Sequence, residues 1–308
     1  MKNLSERISA LSPTQRTLFE ARLKQQSLDA RKALAQSQPI PRRQQLSPCP
    51  LSYDQERLWS LNQNAEGNPA YVIYTASRLK GLLDVTAMHR AIHEIVRRHE
   101  ILRATFAMIA GSPMMVIVPQ LEIPLTVEDL TSWPADERLA EAMRRVNLAS
   151  GRAFDLGRGP LVRVGLLRLD EQDHVLYINL HHTITDRWSA ALVEEELAAL
   201  YDAFSKGEPS PLAEMPIQFA DFAAWQRQWL QGEVLEAQSA YWQQQLAGAP
   251  LILQLPTDHP RPPVQRFRGA REHVLIPRHL LAALKSLSQR EGATMFMTML
   301  AAYNLLLY

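Results

Sequence analysis

Residues 160–204 constrain the fold more than any other stretch. Two strand-like runs, "PLVRVGLLRL" and "DHVLYINL", are joined by the acidic turn "DEQD". An amphipathic helix follows, "WSAALVEEELAALYDAF", with Leu192, Val193, Leu197, Leu200, Tyr201 and Phe204 at helical spacing. Upstream, "YVIYTASRL" reads as a strand, and "DVTAMHRAIHEIVRRHEIL" as a helix with Ala87, Ile92, Ile95 and Val96 inward. "RATFAMI" and "PMMVIVP" flank "AGS" as a hairpin, and another helix is predicted near 135–149. Strands mixed with helices in this way predict an α/β fold of sandwiched layers.

The flanks are more uneven. Residues 1–35 read as helix, with Ser12, Pro13 and Gln15 at capping positions and only a thin apolar stripe. Residues 36–50, "QSQPIPRRQQLSPCP", have the Pro, Gln and Ser content of a linker. A helical face of Leu51, Leu58 and Leu61 opens the globular part, and "SKGEPSPLAEMP" is the expected internal boundary. Beyond it come two helices, a Pro-rich stretch, a strand ("REHVLIP") and a helix. The final "ATMFMTMLAAYNLLLY" is apolar on nearly every side, as in a core, so the chain reads as part of something longer.

Composition removes several function classes. Of the 308 residues, 46% are hydrophobic and 21% charged, the proportions of a globular protein. A net charge of +1 gives no basis for a nucleic-acid or membrane-surface partner. Cys49 alone forms neither an internal disulfide nor a multi-thiolate metal site, which fits a reducing compartment. With no span-length apolar run and no signal peptide, a cytoplasmic location is expected.

His181 and His182 sit side by side where the second strand ends, and Asp186 follows four residues after His182. One reading is chemical: His182 acts as a general base or accepts a positioning hydrogen bond, aimed by Asp186. A metal reading is disfavoured, because successive strand residues face opposite ways and cannot easily share one ion. The plain alternative is a packed histidine beside an aspartate that caps the next helix. The local pattern leaves these open.

Further stretches carry a resemblance. "LHHTITDRWS" resembles the His-His-x-x-x-Asp-Gly motif of condensation domains in nonribosomal peptide synthetases. "LSYDQERLWSL", "RRHEILRATF" and "IQFADFAAWQ" are similar to that family's first, second and fourth motifs, and "LPTDHPRPPVQRFRGA" to its connecting segment. Their order over residues 51–270 makes the likeness specific, and the first two look most like the subtype that takes an L-configured donor. The resemblance implies a two-lobed α/β sandwich of the chloramphenicol acetyltransferase class. Residues 51–215 would be its N-terminal lobe and 216–308 the incomplete start of its C-terminal lobe.

The function so implied is an acyl transfer. Donor and acceptor thioesters arrive on the phosphopantetheine arms of two peptidyl carrier proteins, and no cofactor is bound directly. An adjacent adenylation domain is implied in the full-length protein. A donor carrier from another polypeptide, helped to dock by residues 1–35, is expected if Met1 is the natural start.

The catalytic candidates are His182, Asp186 and His181. By position His182 takes the direct role, while His181 reads more as a packed strand residue. Asp186 reads as structural, and the resemblance implies that it pairs with Arg103. Tyr53, Gln55, Arg57, Trp188 and Ser189 are candidates for the substrate channel, although core packing is the plainer expectation for Trp188, Trp225 and Trp229. Arg97 and Arg98 are expected on a wet helix face. Arg187 departs from the motif, which has glycine there. A left-handed arginine costs about 1–2 kcal/mol, so either the turn is ordinary here or strain is tolerated. The alternatives are a non-catalytic carrier-docking module, or an epimerisation domain, on the same fold.

Overall fold

A computed structural model describes residues 39–44, 47–64, 69–252, 254–260, 262 and 274–307. The expected helix over residues 1–35 lies outside the described residues.

In chain order the elements are β1 (Cys49–Pro50), α1 (Tyr53–Asn64), β2 (Val72–Lys80), α2 (Val85–Arg98), β3 (Ala104–Ile109) and β4 (Ser112–Ile117). These are followed by β5 (Leu125–Asp129), α3 (Arg138–Ser150), β6 (Val162–Asp170), β7 (Asp173–His181) and α4 (Arg187–Ser205). The last four are α5 (Phe219–Trp229), α6 (Gly232–Gln245), α7 (Arg278–Arg290) and α8 (Met295–Leu307). The described residues form two compact units, divided between residues 231 and 232, with 69–70 grouped with the second.

The β6–β7 hairpin forms the middle of a four-stranded sheet in the order β2–β7–β6–β5. All its pairs are antiparallel except β5 with β6. Both central strands are buried on both faces, which explains why their sequences read as continuous apolar runs rather than alternations. On one face Val162, Val164, Leu166, Leu176, Ile178 and Leu180 share a core with α2 and α4. On the other, Leu167, Leu169 and Val175 pack with Ala142 and Val146 of α3. Each such buried side chain contributes about 1.5–3 kcal/mol, so this layered core holds the end of β7 firmly. Gly165 is required within it, because a Cβ there would lie 2.3 Å from the ring of Tyr177 on the neighbouring strand.

The predicted inward positions Ala87, Ile92, Ile95 and Val96 of α2 are buried. Asp84 starts that helix, its side chain accepting from Ala87 N–H at 3.0 Å. Arg98 differs from expectation. It is 4% exposed, not wet, because the last turn of α2 lies under α4 and the segment carrying Leu212.

The linker reading fails for its described part. Cys49 is buried and β1 pairs with β4, while Arg43 is fixed by Glu100 and Asp221. Two carboxylates and one paired strand edge are enough to dock a Pro-rich segment. The expected boundary at 205–216 also moves, since α5 belongs with the first unit. Asp221 explains this: it accepts from Gln218 N–H at the head of α5 and from Arg43, tying the helix back to the chain start.

In the second unit α7 packs with α8, and Ser288 Oγ meets Thr298 Oγ1 at 2.7 Å. The expected strand at "REHVLIP" is not formed over its described residues 274–277. Strand propensity needs a neighbouring backbone to satisfy its N–H and C=O groups, and none pairs there. The helix α8, apolar enough for a core, leaves Phe296, Leu305 and Leu306 largely exposed. Among the described residues no helix is long and apolar enough to cross a membrane.

Candidate active site

The site is built where β7 ends. His181 is the last strand residue, opposite Val72, and its N–H donates to Leu161 O at 3.0 Å. The chain then turns: His182 N–H donates to Tyr71 O at 2.8 Å and Ile184 N–H to His181 O at 3.0 Å. That turn sends the two imidazoles to different environments.

His181 is 1% exposed and packed between the rings of Tyr71 and Phe154. Its Nδ1 accepts from Thr183 N–H at 3.1 Å, with Thr183 Oγ1 at 2.9 Å. An accepting Nδ1 leaves the ring proton on Nε2. Burial, helped by nearby His182, pulls its pKa down to about 4, so the ring is neutral at pH 7. It does not line the cavity described below. His181 is thus a packed residue at the strand end, outside the cavity lining. His182, by contrast, is exposed and lines that cavity.

Asp186 is the N-cap of α4. Its backbone is extended, and its carboxylate accepts from Ser189 N–H at 2.7 Å. Those amide contacts, with a contribution from His182, hold the carboxyl below its usual range. The expected ion pair with Arg103 is absent. The Arg103 guanidinium instead donates to the carbonyls of Val96, Arg97, Val118 and Pro119. A guanidinium carries five donors, and the end of α2 beside the start of the loop after β4 offers four acceptors within reach. Arg103 thus ties α2 to the end of the β3–β4 hairpin rather than to the histidine turn. Arg187 is the first residue of α4 and has no positive φ; among the described non-glycine residues only Ala110 does. Of the two possibilities raised by its departure from glycine, the ordinary turn is the one realised.

The channel candidates separate. Gln55 is buried and bridges three segments: its Oε1 accepts from Ser52 N–H at 3.0 Å, and its Nε2 donates to Thr183 O at 3.0 Å. Gln55, Arg57 and Ser189 line the cavity, while Tyr53, Arg187 and Trp188 do not. Tyr53 is held by Gln226 and by Leu230 O, with Arg227 over its ring at 3.9 Å. Trp188, in the first turn of α4, is 77% exposed, so the packing expected of it fails: helical spacing does not say whether another element covers that turn. Trp225 and Trp229 stack at 5.2 Å, and Trp229 stays exposed.

The cavity holds about 660 Å³, within the range of small-molecule sites. His182, Asp186, Gln55 and His99 furnish polar groups, and Leu102, Phe219 and Phe222 furnish apolar wall. Sequence reasoning missed His99, Phe219 and Phe222. They lie inside the stretches "RRHEILRATF" and "IQFADFAAWQ", but periodicity alone does not say which residues of a motif face a cavity. Their placement depends on a polar clamp. Gln218 at the head of α5 accepts from Glu100 N–H and donates to Arg98 O at 2.8 Å, and Arg43 bridges Glu100 and Asp221.

Comparison with known proteins adds the following. The profile described as "Condensation domain" matches residues 46–308. One of the linear gramicidin synthase proteins of Brevibacillus parabrevis is 47% identical over 270 residues, covering 88% of this chain and 3% of that protein. Phosphinothricin tripeptide synthetase PhsC of Streptomyces viridochromogenes is 41% identical over 309 residues, covering 100% of this chain and 28% of that protein. The chain thus spans less than a third of either relative. Among solved structures, the X-domain from teicoplanin biosynthesis aligns with TM-score 0.72 at 28% identity, over 83% of this chain and 56% of that one. The first condensation domain of the CDA synthetase aligns with TM-score 0.67 over 82% of this chain and 59% of that one. At 21% identity, this second likeness shows the shared fold.

Proposed function

Because the chain belongs to the condensation-domain family, with its chloramphenicol acetyltransferase-like α/β fold and relatives that are nonribosomal peptide synthetases, we propose that it forms a peptide bond between two carrier-bound thioesters. The donor is an aminoacyl or peptidyl thioester, in the L configuration by the form of the first two motifs. The acceptor is a downstream aminoacyl thioester. Both ride on phosphopantetheine arms of carrier proteins, which are substrates here rather than resident cofactors. An adenylation domain in the same synthetase supplies the activated residues.

The observation that carries this reading is the asymmetry of the histidine pair: His182 opens onto the cavity while His181 is sealed, neutral and occupied by Thr183. In the reaction the acceptor α-amine attacks the donor carbonyl, and a C–N bond forms as the tetrahedral state builds. His182 accepts a hydrogen bond from the attacking amine and takes its proton. The C–S bond then breaks and the proton passes to the departing thiolate, leaving an amide and a free thiol. A free α-amine has a pKa of about 7.7–8.0, so a usable fraction is neutral near pH 7. Positioning therefore matters as much as basicity, and a general base adds about 10²- to 10⁴-fold. Asp186 fixes the start of α4 beside His182 and does not itself move a proton.

The test is amide formation from loaded donor and acceptor carrier proteins, followed by mass spectrometry. His182→Ala is expected to lose at least about a hundredfold in rate; near-normal turnover would end the assignment. A second reading is a carrier- or protein-docking module. It is favoured by the likeness to the teicoplanin X-domain, which has been solved in complex with OxyB. On that reading the wild type makes no amide, and partner binding is unchanged in His182→Ala.

A further inference from the structure

His99 is a second imidazole on the wall of the same cavity, and its surroundings give it a defined hydrogen-bonding polarity. It ends α2 with extended backbone, φ −99° and ψ 98°, and its N–H closes the helix on Ile95 O at 3.0 Å. Its ring Nε2 meets Glu196 Oε2 at 2.7 Å. Buried Arg98 flanks the same carboxylate, Nε to Oε2 at 3.6 Å, and supplies compensating positive charge. A carboxylate placed between a guanidinium and an imidazole is an acceptor. Nε2 therefore carries the hydrogen, and on the neutral ring Nδ1 carries the lone pair. Nδ1 makes no hydrogen bond with the described residues, and it is not one of the polar atoms sealed without a partner. His99 and His182 are both among the residues that line the cavity, and Ile101, Leu102, Phe219 and Phe222 supply apolar wall to the same space.

We propose that His99, aligned by Glu196, is a substrate-contacting specificity residue: an acceptor for one N–H or O–H donor on an otherwise apolar thioester substrate. This rests on the condensation reading of the site. An acceptor set in an apolar wall penalises a ligand that lacks the matching donor, because the acceptor is left without water and without a partner. Among the parts of such a substrate that carry that chemistry are the side chain of the acyl residue and the amide N–H groups of the pantetheine arm.

Four stable thioether probes separate these sources. Phenylethyl and 4-hydroxyphenylethyl groups are each attached to pantetheine and to an ether arm of equal length that lacks amides. Titration calorimetry with the full chain measures their affinities. The wild type is expected to bind the donor-bearing probe of one matched pair about tenfold more tightly than its twin. His99→Leu is expected to bring that pair to within about twofold, and Glu196→Ala, which releases the ring tautomer, to reduce the ratio as well. Discrimination within the hydroxyl pairs assigns the donor to the side chain; discrimination between the arms assigns it to pantetheine. Denaturant unfolding of each variant separates a lost contact from a lost fold, and His99→Asn, which keeps a side-chain acceptor, should retain part of the ratio. Equal affinities in the wild type, no binding of any probe, or a ratio that survives both His99→Leu and Glu196→Ala overturns the proposal. Loss of amide formation in the carrier assay with the ratios intact would count against the condensation reading alone.

Discussion

Gln55 on α1 holds the carbonyl of Thr183, 128 residues further along, at 3.0 Å. The same side chain accepts from Ser52 N–H, so the start of α1 and the turn after His182 are locked by one amide. Thr183 in turn holds the ring of His181. Through this relay a residue with no hydrogen bond to either histidine ring helps set where His182 stands.

Replacing Gln55 by the similarly sized methionine leaves the Thr183 carbonyl and the Ser52 amide without partners. A loss of about 1–3 kcal/mol in urea unfolding is expected. Amide formation should fall about ten- to a hundredfold, since the turn that aims His182 is released. An unchanged rate would show that the turn is held by other contacts.

His181 gives a pH dependence of stability with a definite sign. Its folded pKa of about 4 lies below the ordinary 6.5, so between these values the unfolded chain binds the proton more readily. Stability is full above about pH 6.5, falls as pH drops toward 4 and levels off below it. The loss is about 3 kcal/mol. His181→Phe should remove this limb from unfolding curves taken between pH 4 and 7.5.

Asp186 and Arg103 act on different structures, one capping α4 and the other holding carbonyls around the end of α2. Asp186→Ala should cost about 0.5–2 kcal/mol as a lost cap. Arg103→Ala should cost about 2–3 kcal/mol as lost charged hydrogen bonds. In the double variant the two should add to within about 0.5 kcal/mol. A large coupling energy would restore the ion pair that the geometry excludes.

Arg187→Gly brings the motif to its usual form but has no strain to relieve, because residue 187 begins α4 without a positive φ. Thermal unfolding should show a slight loss, about 0.5–1 kcal/mol, from the flexibility of glycine in a helix. A gain in stability would show a strained turn.

The sheet was readable where its pairing is local. The β6–β7 hairpin, the β3–β4 hairpin and the helices with apolar faces announce themselves within short windows of sequence. The strand β5 does not: "LTVED" is short, and it becomes a strand only because Leu125 meets Val164 of β6. "REHVLIP" shows the converse, strand-like residues with no partner over the described part. The buried Arg98 and exposed Trp188 followed the same logic, since the helix period gives a face but not what covers it.

By itself the sequence determined that two adjacent histidines end an apolar strand-like run and that an aspartate follows just before an amphipathic helix, because runs and periodicities are properties of neighbouring residues. Only the tertiary structure decided that His181 is sealed and His182 open, that Arg103 spends its donors on carbonyls, and that His99 shares the cavity. Those outcomes depend on which distant backbone and side-chain groups are brought within about 3 Å, the reach of a hydrogen bond, and packing across the whole unit sets that.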